Sequence, residues 1–362
     1  MGHSVNNALF ARTLLGAFSL LLCPWAWAGA LDPAPFICPA PRTAKFADAD
    51  YYVWGASMVR DPQGLCHLLY SRWPRSKGFA AWVSDSEIAH AVAAEPLGPY
   101  RHVDVALPKR GAKHWDGLCT HNPTVHAFGG KYYLYYMGNT TDASSTEAPW
   151  WNHRNHQRIG VVVADHPSGP WQRFDTPLID VAQDGADPDA LMTSNPSICR
   201  RTDGAYVLVY KAAGLESPRP FGGPIVHMVA TSRSPIGPFL KHESPVFTST
   251  GERFPAEDPS IWVQDGMLWA ILKDMKGTFT QCGTSLALFK SKDGLQWELA
   301  PNPLVSRLQI AWDDGTVQKV ERLERPQLWM EDGLPSVLFC AVSDGQDTFN
   351  VHLPLAREGA AE

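Results

Sequence analysis

The chain has 362 residues, of which 44% are hydrophobic and only 19% are charged, and it contains 29 glycines and 30 prolines. The apolar share argues against a disordered chain, and the frequent glycine and proline argue against a coiled coil or helical bundle. The formal net charge is −6, with no block of like charge, which disfavours electrostatic binding of nucleic acid or anionic lipid. A neutral, polar ligand that binds to aromatic side chains suits this composition better.

Residues 1–28 have the pattern of a secretory signal peptide. Arg12 is their only charged residue, an apolar run follows at residues 14–22, and Ala26-Trp27-Ala28 has the small residues that signal peptidase requires. The run is shorter than the roughly 20 residues that cross a bilayer. We therefore expect cleavage after Ala28 and a mature chain, periplasmic or secreted, that is not bound to the membrane.

Six cysteines follow the predicted signal peptide: Cys38, Cys66, Cys119, Cys199, Cys282 and Cys340. Their even number in an exported chain permits disulfides, but no pair has the C-x-x-C spacing of a redox or metal motif. We expect most of them to be small buried strand residues. The bridge to test is Cys38 to Cys340, which would join the N-terminal extension to the last repeat.

From Tyr52 onward one sequence unit recurs five times. Four copies carry a proline in a strand-like segment, and these prolines, at 123, 196, 259 and 326, are 73, 63 and 67 residues apart. A degenerate first copy around Ser57 lies 66 residues before Pro123. In every copy a tight turn, Asp-Gly or Gly-Gly in four of the five, separates two apolar runs, which is typical of a β-hairpin.

A second pattern follows the hairpin and predicts two further strands per unit. In the first three copies the third strand ends in a Pro-x-Gly-Pro turn, at residues 96–99, 167–170 and 235–238, and in the fourth in Asp293-Gly294. Four antiparallel strands repeated five times predict a single-domain, all-β, five-bladed β-propeller. We assign residues 29–49 to an N-terminal extension, 50–355 to the propeller and 356–362 to a C-terminal tail.

Strand direction predicts which face of the propeller carries the site. The first strand starts, the second ends and the third starts at one face, where the connections are long, whereas short turns occupy the opposite face. Long loops on a rigid scaffold are the usual place for binding chemistry. Because the first strands converge on the axis, we place the pocket at this mouth.

Unlike side chains from different repeats meet at the predicted mouth. The starts of the first strands supply Trp54, His121, Asn122, Asn195, Glu257, Asp258, Glu324 and Arg325. The adjoining loops and strands add Asp116, Glu87, Arg158, Arg72, Lys211 and Lys273. The longest loop carries Trp150 and Trp151, which would either stack on a sugar or fill the loop.

Several carboxylates in one aromatic cavity suit the cleavage of a glycosidic bond. One carboxyl group must stay protonated to donate to the leaving oxygen, and another must be ionised to activate water or attack carbon. Nearby like charges raise one of the two pKa values and so separate the roles. The alternative for each single carboxylate is a turn cap or a salt bridge between blades.

The repeat resembles that of five-bladed glycoside hydrolases. The resemblance rests on Glu257-Asp258-Pro259, His121-Asn122-Pro123, the aromatic run 132–136 after a glycine turn, and residues 157–161 before a Pro-x-Gly-Pro turn. The families closest in type are family 43 (arabinofuranosidases, xylosidases and arabinanases) and family 117 (anhydrogalactosidases). The resemblance covers roughly residues 50–353 and implies a carbohydrate substrate.

Family 43 implies an inverting mechanism with an Asp base in the first blade, a second Asp that tunes the acid, and a Glu acid. Here the first blade has Gly55-Ala56-Ser57 instead of that base. Ranked by position, we assign Glu257 as general acid and Asp116 as general base, with Asp258 and Glu324 as orienting or tuning groups; exchanging Asp116 and Asp258 stays open. His121 is either a proton donor, as family 117 implies, a residue near a central ion, or a structural histidine.

The sequence thus predicts an exported glycoside hydrolase that trims a plant or algal polysaccharide or oligosaccharide, is exo-acting and inverting, and acts as a monomer or weak homodimer. We predict no organic cofactor and no metal ligands. One alternative is a glycoside phosphorylase, which the cationic side chains at positions 72, 158, 211, 273 and 325 keep open. Another is a non-catalytic carbohydrate-binding propeller, although such a lectin would repeat the same contacts in every blade.

Overall fold

The computed structural model describes residues 37–345 and 347–356, so the predicted signal peptide and most of the predicted tail lie outside the described residues. Five antiparallel sheets form a β-propeller, which confirms the predicted fold class. Each sheet follows the chain outward from an innermost first strand. Among the described residues, no helix is long and apolar enough to cross a membrane.

The strands follow the repeats of the sequence. A short strand, β1, is Lys45–Phe46. The first blade contains β2 to β5, which are Tyr51–Arg60, Cys66–Pro74, Glu87–Ala93 and Arg101–Leu107. The second contains β6 to β8, which are Cys119–Phe128, Lys131–Asn139 and Gln157–Ala164. The third contains β9 to β12, which are Met192–Arg200, Tyr206–Ala213, Ile225–Ser232 and Leu240–Lys241.

The fourth blade contains β13 to β16, which are Ala256–Gln264, Met267–Asp274, Ser285–Ser291 and Glu298–Arg307. A separate hairpin, β17 and β18, consists of Gln309–Ala311 and Val317–Lys319. The fifth blade contains β19 to β21, which are Arg322–Glu331, Leu334–Asp344 and Asp347–Pro354. Two short helices lie in the loops: α1 is Trp82–Asp85 and α2 is Pro149–Asn155.

The fifth blade obtains its outermost strand from the beginning of the described chain. Strand β1 pairs antiparallel with β21, Lys45 opposite Val351. Phe46 also packs edge-on against Tyr70 of the first blade, with ring centroids 4.9 Å apart. The propeller therefore starts at Lys45, within the segment assigned to an extension, and this strand joins the two ends of the described chain.

The second blade departs from the four-strand pattern. In place of a regular fourth strand it has two isolated bridges, Val163 with Gln172 and Ile159 with Ile179. The chain between residues 165 and 191 otherwise runs as turns and loop.

The innermost strand of every blade contains a β-bulge at the same place. The pairing register shifts there in all five blades, and one residue per blade has a positive φ between 39° and 55°: Gly55, Asn122, Asn195, Asp258 and Arg325. Asn and Asp tolerate this conformation better than most residues. A bulge re-aims a side chain, so the five positions meet near the axis.

The bridge between Cys38 and Cys340 that the sequence offered for testing is not formed, because Cys340 is a free thiol. Cys38 lies beside the end of β21, where its amide donates to the Pro354 carbonyl. Cys340 lies further along the sheet, opposite Val351. The expectation that most cysteines are buried strand residues holds for Cys66, Cys119, Cys199 and Cys340.

Candidate active site

A cavity of about 130 Å³ opens at the predicted mouth of the propeller. Its lining residues come from the five innermost strands, two second strands, and the connection between β3 and β4: Trp54, Trp73, Phe79, Trp82, His121, Asn122, Asn195, Lys211, Glu257, Asp258, Arg322 and Glu324. The predicted site residues among them are Trp54, His121, Asn122, Asn195, Lys211, Glu257, Asp258 and Glu324.

One wall of the cavity is aromatic, and the sequence analysis predicted only Trp54 of its residues. Trp73 lies in β3, and Phe79 and Trp82 belong to the connection after it. Phe79 packs edge-on against Trp54, with ring centroids 5.6 Å apart. The Trp73 indole nitrogen donates to the Phe79 carbonyl at 3.1 Å and fixes the turn. Aromatic residues within a long loop at the mouth were the available signal for this wall.

The opposite wall is a cluster of charged groups. One carboxylate oxygen from each of Glu257, Asp258 and Glu324 lies within 4.8 Å of the other two. Lys211 Nζ donates to Glu257 Oε1 at 2.8 Å. Lys273 Nζ donates to Glu324 in a short hydrogen bond and lies 3.8 Å from Glu257 Oε2. Two ammonium groups are therefore shared between Glu257 and Glu324, whereas Asp258 pairs with Arg325.

These contacts lower the pKa of one carboxyl group of the cluster, whereas the pKa values of the other two are raised. Burial alone would raise the pKa of Glu257, but the ammonium groups of Lys211 and Lys273 outweigh it and lower that pKa to about 2. Burial raises the pKa of Glu324, and the negative charges of Glu257 and Asp258 add to this effect against Lys273. Burial and the charge of Glu257 likewise raise the pKa of Asp258. Glu257 is thus the ionised member of the cluster.

The bulge residues form the cavity floor as a chain of hydrogen bonds. Asn122 Nδ2 donates to Asn195 Oδ1 at 2.7 Å, and Asn195 Nδ2 donates to Asp258 Oδ1 at 2.5 Å. Arg325 lies on the other side of Asp258, with Nη1 3.4 Å from the same oxygen. A Cβ at Gly55 would lie 3.3 Å from Arg325 and 3.4 Å from Asn122 Oδ1, so the Arg325 side chain fills the place a first-blade side chain would take.

His121 lies between the aromatic wall and the floor. Its Nδ1 is 2.7 Å from Ser86 Oγ, and its ring contacts Trp82 at a centroid distance of 5.2 Å. Burial, together with the positive charges of Arg325 and Lys211, lowers its pKa well below the usual value. His121 is therefore neutral near pH 7 and suited to hydrogen bonding rather than to donation from an imidazolium.

The three clustered carboxylates are a donor set that hard cations accept. However, Lys211, Lys273 and Arg325 already supply the positive charge beside Glu257, Glu324 and Asp258. The chemistry of this donor set fits a network of ion pairs better than a metal site.

Asp116, predicted as the general base, does not line the cavity. Its side chain is fully buried and accepts from Arg110 Nε and Arg173 Nη2, each at 2.6 Å, and from the Tyr136 hydroxyl at 2.5 Å. Its Cβ packs where a side chain at Gly138 would otherwise lie. These contacts join a loop to the second blade, and a carboxylate so enclosed by protein groups does not suit the role of a base that activates water.

We predict that Asp116→Asn destabilises the fold and leaves the chemistry intact. Removing one partner of a buried ion pair leaves the other uncompensated, at a cost of about 3 kcal/mol. The free energy of unfolding, measured in urea, should fall by that amount while kcat of the folded enzyme is retained. A loss of kcat at unchanged stability would return Asp116 to the catalytic machinery.

Other predicted contact residues also lie outside the cavity. Arg72 pairs with Glu87, with Nη2 2.9 Å from Oε1. Arg158 pairs with Asp180 at 2.7 Å. These three residues, which were predicted to bind substrate, therefore form salt bridges with other protein side chains. This was the alternative stated for single charged groups.

Trp150 and Trp151 belong to α2 and do not line the cavity. The Trp150 indole nitrogen donates to the Ala80 carbonyl at 3.2 Å, and its ring packs edge-on against Trp82. Trp151 packs against Trp150 and Phe221. The pair supports the aromatic wall from behind, which corresponds to the loop-filling alternative.

No protein-family model matches the chain, and comparison with curated proteins finds no related sequence. Solved structures with the same fold are numerous. One solved glycoside hydrolase has a TM-score of 0.66 at 12% identity, and the match covers 91% of this chain and 95% of that protein. A family 117 glycoside hydrolase from the marine bacterium Zobellia galactanivorans has a TM-score of 0.58 at 18% identity, and the match covers 85% of each protein.

A family 43 enzyme from Xanthomonas citri, solved with xylotriose, has a TM-score of 0.56 at 16% identity, and the match covers 89% of this chain and 92% of that enzyme. At these identities the likeness concerns the fold. The resemblance to families 43 and 117 is thereby confirmed at the level of architecture: the chain folds as a five-bladed propeller of the kind found in these glycoside hydrolases.

Proposed function

We propose that the protein is an exported, exo-acting glycoside hydrolase. The observation that carries this proposal is that carboxyl groups with opposite pKa shifts, Glu257 lowered and Glu324 raised, face an aromatic wall in one cavity. Glycoside hydrolysis needs one ionised and one protonated carboxyl group at the bond that breaks. The glycoside hydrolases of like fold support the same reaction class.

We assign Glu257 as the ionised carboxylate and Glu324 as the proton donor. This reverses the sequence-based role of Glu257, because a group paired with two ammonium ions does not hold a proton near neutral pH. Asp258 is held in the floor by Asn195 and Arg325 and acts as a positioning residue.

The substrate class follows from the shape of the cavity. A volume of about 130 Å³ closed by the floor accepts one terminal sugar residue rather than a continuous chain. Asn122 Oδ1, on the floor, is buried and has no hydrogen-bond partner among the described residues. A sugar hydroxyl would satisfy it, while a sugar face would stack on the aromatic wall. We propose a plant or algal oligosaccharide end as substrate.

Screening tests the proposed activity directly. The purified mature chain should release a monosaccharide from one member of a panel of aryl glycosides and of plant and algal polysaccharides. Release without added phosphate separates hydrolysis from phosphorolysis, and the engagement of Lys211 and Lys273 by carboxylates favours hydrolysis. Failure to cleave any member, with several sugars bound per chain, would favour the lectin.

We predict that the first product retains the anomeric configuration of the substrate. One oxygen of Glu257 lies within 4.8 Å of one oxygen of Glu324, so the two carboxyl groups are closer than the roughly 6.5–9.5 Å that gives an inverting enzyme room for its water. Proton NMR of the product, recorded before mutarotation, checks this. An inverted product would instead support the mechanism that the family 43 resemblance implies.

A further inference from the structure

A second cluster of titratable side chains lies away from the cavity, where the first and second blades meet. Asp61 follows β2 at the end remote from the mouth, His67 lies in β3, and His166 lies in the turn after β8. One donor atom of each lies within 4.8 Å of the other two. None of the three takes part in the proposed reaction.

The donor atoms lie close enough together to share one metal ion, and Asp61 and His67 form a hydrogen bond in its place. Asp61 Oδ2 lies 3.1 Å from His67 Nε2 and 3.6 Å from His166 Nε2. Tetrahedral coordination of zinc with bonds of about 2.0–2.2 Å separates its ligand atoms by about 3.4 Å. Asp61 Oδ1 is used elsewhere, since it accepts from the amides of Gln63 and Leu65 at 2.9 and 2.8 Å. Only Oδ2 therefore faces the histidines.

The hydrogen bond behind His67 provides the outer partner that a metal-bound imidazole usually has. His67 Nδ1 lies 2.9 Å from His90 Nε2, and His90 Nδ1 lies 3.4 Å from Asp104 Oδ1. Both rings are almost fully buried, with exposures of 1% and 2%.

A metal ion between Asp61 and His67 fits this arrangement. With Nε2 bound to metal, His67 Nδ1–H donates to His90 Nε2, and His90 Nδ1–H points at Asp104. His90 Nδ1 otherwise lacks a hydrogen-bond partner among the described residues. A metal-bound histidine whose second nitrogen donates to an outer partner is the usual arrangement. His166 Nδ1 lies 3.1 Å from Ser168 Oγ and 3.2 Å from the Ser168 amide nitrogen, which donates to it; coordination through Nε2 would place the proton on Nδ1, which would then donate to Ser168 Oγ.

We propose that Asp61, His67 and His166 bind a zinc ion that joins the first two blades. Two imidazoles and one carboxylate suit zinc better than calcium or magnesium, which prefer oxygen ligands. The His166 side chain is 44% exposed, so solvent reaches the site and a water molecule completes the fourth position. This proposal departs from the sequence analysis, which predicted no metal ligands.

The test uses the full chain stripped with a chelator and then dialysed against zinc chloride. We expect one zinc per chain by elemental analysis, an affinity at least about tenfold weaker in His166→Ala, and an increase in Tm with zinc that this variant lacks. His242→Ala, a histidine of the third blade that contacts Thr231, is the matched control and should bind zinc as the unmodified chain does.

A second variant distinguishes the loss of a zinc ligand from misfolding of the chain. Asp61→Asn keeps an oxygen that can accept from Gln63 and Leu65 but removes the anionic ligand, so it too should lose zinc while retaining the circular dichroism of the fold. Failure of the unmodified chain to bind zinc, or equal binding by His166→Ala and His242→Ala, would overturn the proposal. Neither result bears on glycoside hydrolysis, which is measured separately.

Discussion

Glu257→Ala is expected to lower kcat by about 10⁴-fold or more, the scale of loss when a group that acts covalently is removed. Glu257 is the carboxylate that Lys211 and Lys273 keep ionised, and it lines the cavity, so no other anion there is as available to attack the anomeric carbon. The measurement is the steady-state rate on the aryl glycoside identified by screening.

Sodium azide gives this experiment a specific readout. If Glu257 is the nucleophile, azide enters the space left by the shortened side chain and forms a glycosyl azide of inverted configuration, which restores turnover. Glu298→Gln, in the outer strand of the fourth blade and paired with Lys290, is the control and should keep its activity. Full activity in Glu257→Ala would eliminate the residue from catalysis.

Glu324→Gln is expected to lower kcat by about 10²- to 10⁴-fold on substrates with a sugar leaving group, the range for a general acid. The same variant should keep most of its kcat/KM on a 2,4-dinitrophenyl glycoside, because that phenolate leaves without a proton and kcat/KM reports the step in which it leaves. Comparison of the two substrates in one variant separates lost proton donation from general damage to the cavity. Equal losses on both substrates would contradict the assignment of Glu324 as the acid.

The pH dependence follows from the same assignment. Glu324 must be protonated to act, and burial with the neighbouring negative charges raises its pKa. The kcat/KM on a substrate with a sugar leaving group should therefore fall as pH rises through that raised pKa, and the dinitrophenyl glycoside, which needs no proton, should lack this alkaline limb. With its pKa lowered to about 2, Glu257 remains ionised above roughly pH 3, so it contributes no inflection near neutral pH.

The architecture could be read from the chain because it is repetitive. Four units carry a proline followed by a tight turn, and both features are determined by hydrogen bonds and steric contacts between residues that are close in the chain. The five innermost strands lie where these patterns predicted them. The mouth followed from strand direction alone, and it brought Glu257, Asp258 and Glu324 into one cavity. The sequence did not predict that β1 completes the fifth blade, because a strand of two residues is too short to show an alternating pattern.

The roles of the individual charged residues could not be predicted from the sequence. Asp116 and Glu257 are both carboxylates at the predicted mouth. Asp116 forms ion pairs with two arginines away from the cavity, whereas Glu257 lines the cavity and forms ion pairs with two lysines. A pKa depends on burial and on charges a few ångströms away, and those neighbours come from distant parts of the chain. His166 meets Asp61 and His67 for the same reason, across two blades.

The amino-acid sequence by itself determined the five repeated units, their strand directions and the face on which unlike residues gather, because these depend on interactions between near neighbours in the chain. Only the tertiary structure decided which carboxylate is ionised, which arginines are consumed in ion pairs, and which aromatic residues wall the cavity. Those properties depend on distances between residues of different blades, and these distances are set by packing around the axis.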